Sequence, residues 1–212
     1  MKPLPRGRHG LSREFIAENQ RERLIAAIAD TLDEHGYDGT TVAAISGRAG
    51  VSKSDFYAHF GSKDECFFAA YDEAVERLRG EVLTACAGRG EWAEGVCAGL
   101  AAALAGLAAE PARANLILVE GLRAGPGVYG RFQCAVESFV PYLRDGAPAG
   151  TSAGRPPEAA DEAVVGGIAS LLGRRVLAGE AERLDRFFPE LAEFALTPYL
   201  GVAEARRIIS SR

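Results

Sequence analysis

Residues 40–60, TTVAAISGRAGVSKSDFYAHF, read as two short helices joined by a tight turn. Gly36 and Tyr37 end a preceding helix, and Thr40 or Thr41 caps the next one through its side-chain oxygen. Val42, Ile45 and Ala49 then recur at helical spacing. Gly50 supplies the backbone freedom for the turn, and Val51 is an apolar plug behind it. Ser52 restarts the chain as an N-cap, with Asp55 three residues on in a capping-box pattern. Phe56 and Phe60, four apart, face inward, which leaves Ser52, Lys53, Ser54, Tyr57 and His59 on the opposite side. A short amphipathic helix presented in this way is the second element of a helix-turn-helix, the one that enters the major groove of DNA.

Upstream, a helix beginning between Ser12 and Asn19 and running to His35 carries a buried stripe of Leu24, Ile25, Ile28, Ala29 and Leu32. Residues 1–11, MKPLPRGRHGL, read as a flexible basic arm, which is either a reach toward phosphates or a minor groove or an ordinary terminus. Downstream, Ser62 and Glu65 form a second capping box that opens a long helix from Lys63 to about Ala87. Phe67 and Phe68 root its first turns in the helix-turn-helix, and its remainder leads into the body. One rigid element shared in this way converts a shift in the body into a swing of the recognition helix. The expected divisions are therefore 1–11 for the arm, 12–65 for the DNA-binding domain and 66–212 for a helical body.

Across the 212 residues, Ala and Gly are abundant and most apolar spacing is three or four, so the fold class is all-α. The body reads as helices at 91–109, 112–124, 128–143, 157–178 and 181–200, with a tail helix near 202–209 and a loop at 145–157. The longest uncharged run, Gly95–Ala109, is shorter than the roughly 20 residues a membrane span needs and reads as a close-packed core helix. A net charge of −5 runs against nucleic-acid binding taken globally, but residues 1–24 hold six basic groups against three acidic ones. Cys66, Cys86, Cys97 and Cys134 show no CxxC and have no companion histidines, so no metal site and no cofactor is expected, and the thiols read as reduced, half-buried groups of a cytoplasmic protein. Without a Gly-rich phosphate loop or a nucleophile–base pair, an all-helical enzyme has no positive support.

The run Thr41, Val42, Ile45, Ala49, Gly50, Val51, Ser52, Phe56, Tyr57, His59, Phe60, Ser62, Lys63, Asp64 and Glu65, with the helix before it, resembles the TetR family of bacterial transcriptional regulators over residues 12–70. The resemblance implies phosphate contacts from Tyr57, His59 and Lys63. It places Ser52, Lys53 and Ser54 where the recognition helix enters the groove, Lys53 meeting either guanine O6/N7 or a phosphate. Thr41 and the amides beside it are expected at a phosphate, and Arg48 is either a further contact or a solvated charge. Asp55 departs from the family pattern; it is either a cap or an acceptor for a cytosine amine.

For the body, the resemblance implies a ligand-binding and dimerisation domain. Candidate ligand contacts are Trp92, Leu104, Asn115, Leu118, Val119, Leu122, Tyr129, Phe132, Gln133 and Val136, and their apolar character favours a small hydrophobic or aromatic effector. Glu120 and Arg123, three apart, read as a surface ion pair. Val164, Ile168, Leu171, Leu172, Leu184, Phe188, Leu191, Phe194 and Tyr199 make two apolar faces suited to a homodimer. The expected function is a ligand-released repressor on palindromic operator DNA; the alternative is a constitutive DNA-binding regulator.

Overall fold

The computed structural model describes residues 12–123, 126–148, 156–157 and 159–211, and among them it contains helices and no strand. The basic arm at 1–11 lies outside the described residues, as does most of the expected loop at 145–157. Two compact units meet in sequence between Glu73 and Ala74, inside one long helix.

The first unit holds α1 (Arg13–Gly39), α2 (Val42–Ala49), α3 (Lys53–His59) and the opening turns of α4 (Lys63–Cys86). Ser12 caps α1 by accepting the Phe15 N–H, and helical geometry breaks at Gly36, where φ is 65° and ψ 175°. Thr40 closes that break, its hydroxyl and its N–H both donating to the Gly36 carbonyl, while Thr41 caps α2 by accepting the Ala44 N–H. The two threonines thus divide the tasks that the sequence left shared between them. Leu24, Ile28, Leu32, Ile45, Phe56, Phe67 and Tyr71 are fully buried and form the centre of this unit.

The second unit continues α4 and adds α5 (Trp92–Ala109), α6 (Pro111–Asn115), a π turn (Leu116–Glu120), α7 (Gly121–Arg123), α8 (Pro126–Arg144), α9 (Ala159–Leu177), a 3₁₀ segment (Ala181–Phe187), α10 (Phe188–Leu200) and α11 (Val202–Ser210). The helix expected over 112–124 is interrupted by the π turn, and the one expected over 181–200 begins as 3₁₀. Among the described residues α5 alone is long and apolar enough to cross a membrane by length and composition, and it packs here against α6, the 3₁₀ segment and α10. A polar stitch joins four helices in the core. Tyr199 donates to Asp161, Arg144 Nε donates to the same carboxylate at 2.7 Å, and Trp92 Nε1 donates to the Leu143 carbonyl at 2.9 Å. The Trp92 and Tyr199 rings lie 5.0 Å apart.

Two expectations are corrected by burial. Glu120 is not on the surface: it is only 3% exposed within the π turn, so it is no partner in a solvated pair with Arg123. Arg113 is buried as well: it donates to Glu81 at 2.9 and 3.2 Å and to the Gly106 carbonyl at 2.6 Å. The cysteines are not uniformly half-buried either. Cys66 and Cys97 are buried and Cys134 is exposed. Burial pushes the Cys66 thiol up to about 12, so it is no nucleophile at neutral pH.

Helix α9 packs closely against the π turn. A Cβ on Gly173 would stand 2.8 Å from the Leu118 carbonyl oxygen, a backbone atom that cannot move aside. Gly173→Ala is expected to cost about 1–3 kcal/mol through overpacking. Urea denaturation read on the body helices checks this, with Gly130→Ala, where nothing lies within 4 Å, as the control.

Candidate nucleic-acid interface

Helix α3 is only seven residues long, and its geometry is set from its first turn. Ser52 accepts the Asp55 N–H at 3.0 Å, and its hydroxyl donates to Asp55 Oδ2 at 2.7 Å. The carboxylate is therefore turned back on the helix N-terminus, where negative charge is favoured. It is Ser52 that caps the helix, and Asp55 holds the Ser52 hydroxyl in place. Phe56 is fully buried and Phe60 nearly so, and they fix which side of α3 points inward. The outward side carries Ser52, Lys53, Ser54 and Tyr57, all exposed, on a helix roughly 10 Å long, short enough to lie within a major groove.

The turn before α3 is equally determined. Gly50 adopts φ 61° and ψ 38°, a left-handed conformation that a side chain would strain. Its N–H bonds the Gly47 carbonyl, and the Val51 N–H bonds that of Ser46. At the far end, Ser62 caps α4 through the Glu65 N–H, and Glu65 Oε2 reaches back to the Gly61 N–H at 2.7 Å.

The expected contact residues separate into three situations. Lys53, Ser54 and Tyr57 point away from the core without engagement elsewhere in the unit beyond the edge-to-face contact of Tyr57 with Phe56 at 5.4 Å. Thr41, His59 and Lys63 are partly engaged. The Thr41 hydroxyl accepts from Ala44 and keeps its own proton to donate, and His59 Nε2 lies 3.2 Å from Gln20 Oε1. Lys63 Nζ donates to the Tyr37 carbonyl at 2.8 Å and sits 3.9 Å from the centre of the Tyr37 ring, leaving two of its three protons for a phosphate. Arg48 is exposed and paired within its own chain: it donates to Glu34 and lies 3.7 Å from Asp30. Tyr37 donates to Asp64, and burial together with that carboxylate raises the phenol well above its ordinary range.

Sequence reasoning passed over Gln20 and Arg23. Both sit on α1 and both reach the helix-turn-helix: Gln20 at His59, and Arg23 at the carbonyls of Ala49 and Gly50. Their spacing of three residues was the available signal.

In the body, the expected ligand contacts differ in exposure. Leu104, Leu118, Val119, Phe132 and Val136 are buried, Asn115 and Gln133 are half-buried, and Leu122 and Tyr129 are exposed. Trp92 borders a cleft of about 410 Å³ lined also by Leu83, Val96, Arg79, Cys86 and Tyr142. The expected dimer faces divide as well. Val164, Leu172, Leu184, Leu191 and Tyr199 are buried within the unit and are core, Ile168 and Phe188 are half-buried, and Leu171 and Phe194 are exposed.

Capped, turned and held in this way, the first unit is a DNA-reading helix-turn-helix domain. Residues 24–70 match the family described as bacterial regulatory proteins, tetR family, so the first unit carries the DNA-binding domain of that family. It is similar to the HTH-type transcriptional repressor AcnR of Corynebacterium efficiens, at 32% identity over 60 residues that make up 28% of this chain and 32% of that protein. It is also similar to the HTH-type transcriptional activator FasR of Mycolicibacterium smegmatis, at 31% identity over 74 residues, 35% of this chain and 34% of that one. The chain thus spans about a third of the length of the relatives it matches. In fold, it resembles the transcriptional regulator FadR of Bacillus subtilis, solved in complex with stearoyl-CoA, with a TM-score of 0.71 at 15% identity over 84% of this chain and 98% of that one.

Ser52→Ala is expected to cost α3 about 1 kcal/mol, the usual loss for an N-cap. Amide hydrogen exchange at Asp55 would then speed up roughly fivefold, and an unchanged rate would mean that the Ser52 bond does not hold the helix start.

Proposed function

We propose that this protein is a transcriptional regulator that reads a palindromic operator as a homodimer. The observation that carries the reading is the outward side of α3, where Ser52, Lys53, Ser54 and Tyr57 stand exposed above the buried Phe56. Lys53 meets a guanine edge or a phosphate at the helix start, Tyr57 and Lys63 meet phosphates flanking it, and Thr41 meets one at the start of α2. His59 supports this set through Gln20, and Arg48, paired with Glu34, stands outside it. In a two-fold dimer, the two recognition helices address major grooves about 34–36 Å apart. The exposed Leu171 and Phe194, with Leu177, offer an apolar surface for that association. The repressor role has support from the likeness to AcnR, although FasR is an activator.

Release by a small hydrophobic or aromatic effector completes the reading. The resemblance in fold to a regulator solved with stearoyl-CoA supports it, as does the cleft beside Trp92, which is large enough for a small ligand. Such a ligand acts by binding one of two arrangements more tightly, and α4 is continuous from the first unit into the second. Constitutive binding without an effector is the second reading. It is favoured by the exposure of Leu122 and Tyr129, two of the expected ligand contacts. Both readings place the protein in the cytoplasm.

Replacing Lys53 and Tyr57 together by Ala is expected to abolish retardation of a promoter fragment carrying the operator in a gel-shift assay. Retardation equal to the wild type would remove α3 as the recognition helix. A thermal-shift screen with fatty acyl thioesters and aromatic acids separates the two readings. An effector raises the melting temperature by linkage, by about 2.7 kcal/mol of stabilisation at a hundred times its Kd, and a flat screen supports constitutive binding.

A further inference from the structure

Helix α1 touches the helix-turn-helix at both ends of α3, and it does so from one face. Gln20 and Arg23 are three residues apart and therefore lie one above the other on α1. Arg23 Nη2 donates to the carbonyl of Ala49 and, at 3.1 Å, to that of Gly50. These are carbonyls that the turn itself leaves over, because the Gly50 and Val51 N–H groups are spent on Gly47 and Ser46. A guanidinium at this point also faces the negative end of α2. The fit is close: a Cβ on Gly50 would stand 2.7 Å from Arg23 Nη2. At the other end of α3, Gln20 Oε1 meets Nε2 of His59, the last residue of the helix, and the Arg21 guanidinium lies 5.7 Å from the centre of the adjoining Phe60 ring.

We propose that Gln20 and Arg23 are positioning residues for operator recognition: together they hold the turn before α3 and the last residue of α3, and so fix the tilt at which Lys53 and Tyr57 meet DNA. The proposal rests on the reading of α3 as the recognition helix. Neither residue needs to touch the nucleic acid. Arg23 suits the task because its planar fork donates to two carbonyls in a fixed geometry, whereas a lysine ammonium is a single mobile point charge. A residue that sets tilt governs the fit to base edges. Attraction to phosphates depends on charge and is indifferent to it.

The test uses the full-length chain with Arg23→Met, Arg23→Lys and Gln20→Leu. Two duplexes serve as probes: the tightest binder selected from a random pool, and an unrelated sequence of equal length. Arg23→Met and Gln20→Leu are expected to weaken the selected duplex about tenfold, the scale of a lost hydrogen bond to a charged or strained group, and the unrelated duplex by less than about twofold. The slope of log K against log salt should not change, and Arg23→Lys should recover part of the loss. Equal weakening of both duplexes, with the slope reduced by about 0.9, would make Arg23 a phosphate contact and overturn the proposal.

Hydrogen exchange on the DNA-free protein supplies an independent arm. The Phe60 amide, which bonds the Phe56 carbonyl, should exchange faster in Gln20→Leu, and the Val51 amide faster in Arg23→Met, with α1 unchanged. Unchanged exchange overturns the seat whatever happens on DNA. Faster exchange with undiminished affinity overturns its role in recognition. If the wild type retards neither duplex, the reading of α3 fails and the role in recognition fails with it.

Discussion

Helices of eight and seven residues do not persist in water on their own, because nucleation costs more than so few hydrogen bonds return. α2 and α3 have those lengths, and every feature of the DNA-facing side follows from how they are held. Three devices act together. Apolar side chains such as Ile45 and Phe56 anchor each helix from below. Thr41 and Ser52 satisfy amides that the first turns leave open. The C-terminal carbonyls of α2 are met partly by the turn and partly by Arg23 from another helix. The exposed side of α3 is free to be polar because, Ser52 apart, its residues are not needed for stability.

The parts that were legible in the sequence are those whose physics is local. An N-cap and the amide it satisfies are three residues apart, so Ser52 with Asp55 and Ser62 with Glu65 were visible as patterns and stand in the structure as hydrogen bonds. The same holds for the turn at Gly50, where one residue type suits the required backbone angle. The all-helical class followed from apolar spacing for the same reason.

The body was less legible because burial is decided by neighbours distant in sequence. An amphipathic stripe says that one face of a helix is covered, and not what covers it. Val164, Leu172, Leu184, Leu191 and Tyr199 satisfied the pattern of an interface equally well, yet their covering surface comes from within the same unit. Charged residues mislead in the opposite direction. Glu120 read as a surface charge and is buried, as are Arg113, paired with Glu81, and Asp161, paired with Arg144 and Tyr199. The π turn shows no signal in the apolar spacing, and it lies where α9 comes close at Gly173.

The pairing of Arg48 with Glu34 and Asp30 carries a consequence of its own. A cation beside a DNA-facing helix would ordinarily widen the positive field that draws any duplex, whatever its sequence. Here that field is cancelled from behind by two carboxylates on the neighbouring helix, in a chain whose total charge is already −5. Arg48 itself then adds little to the pull of the polyanion. In a genome where wrong sites outnumber right ones by many orders of magnitude, weak affinity for bulk DNA leaves more of the population unbound and available to its operator.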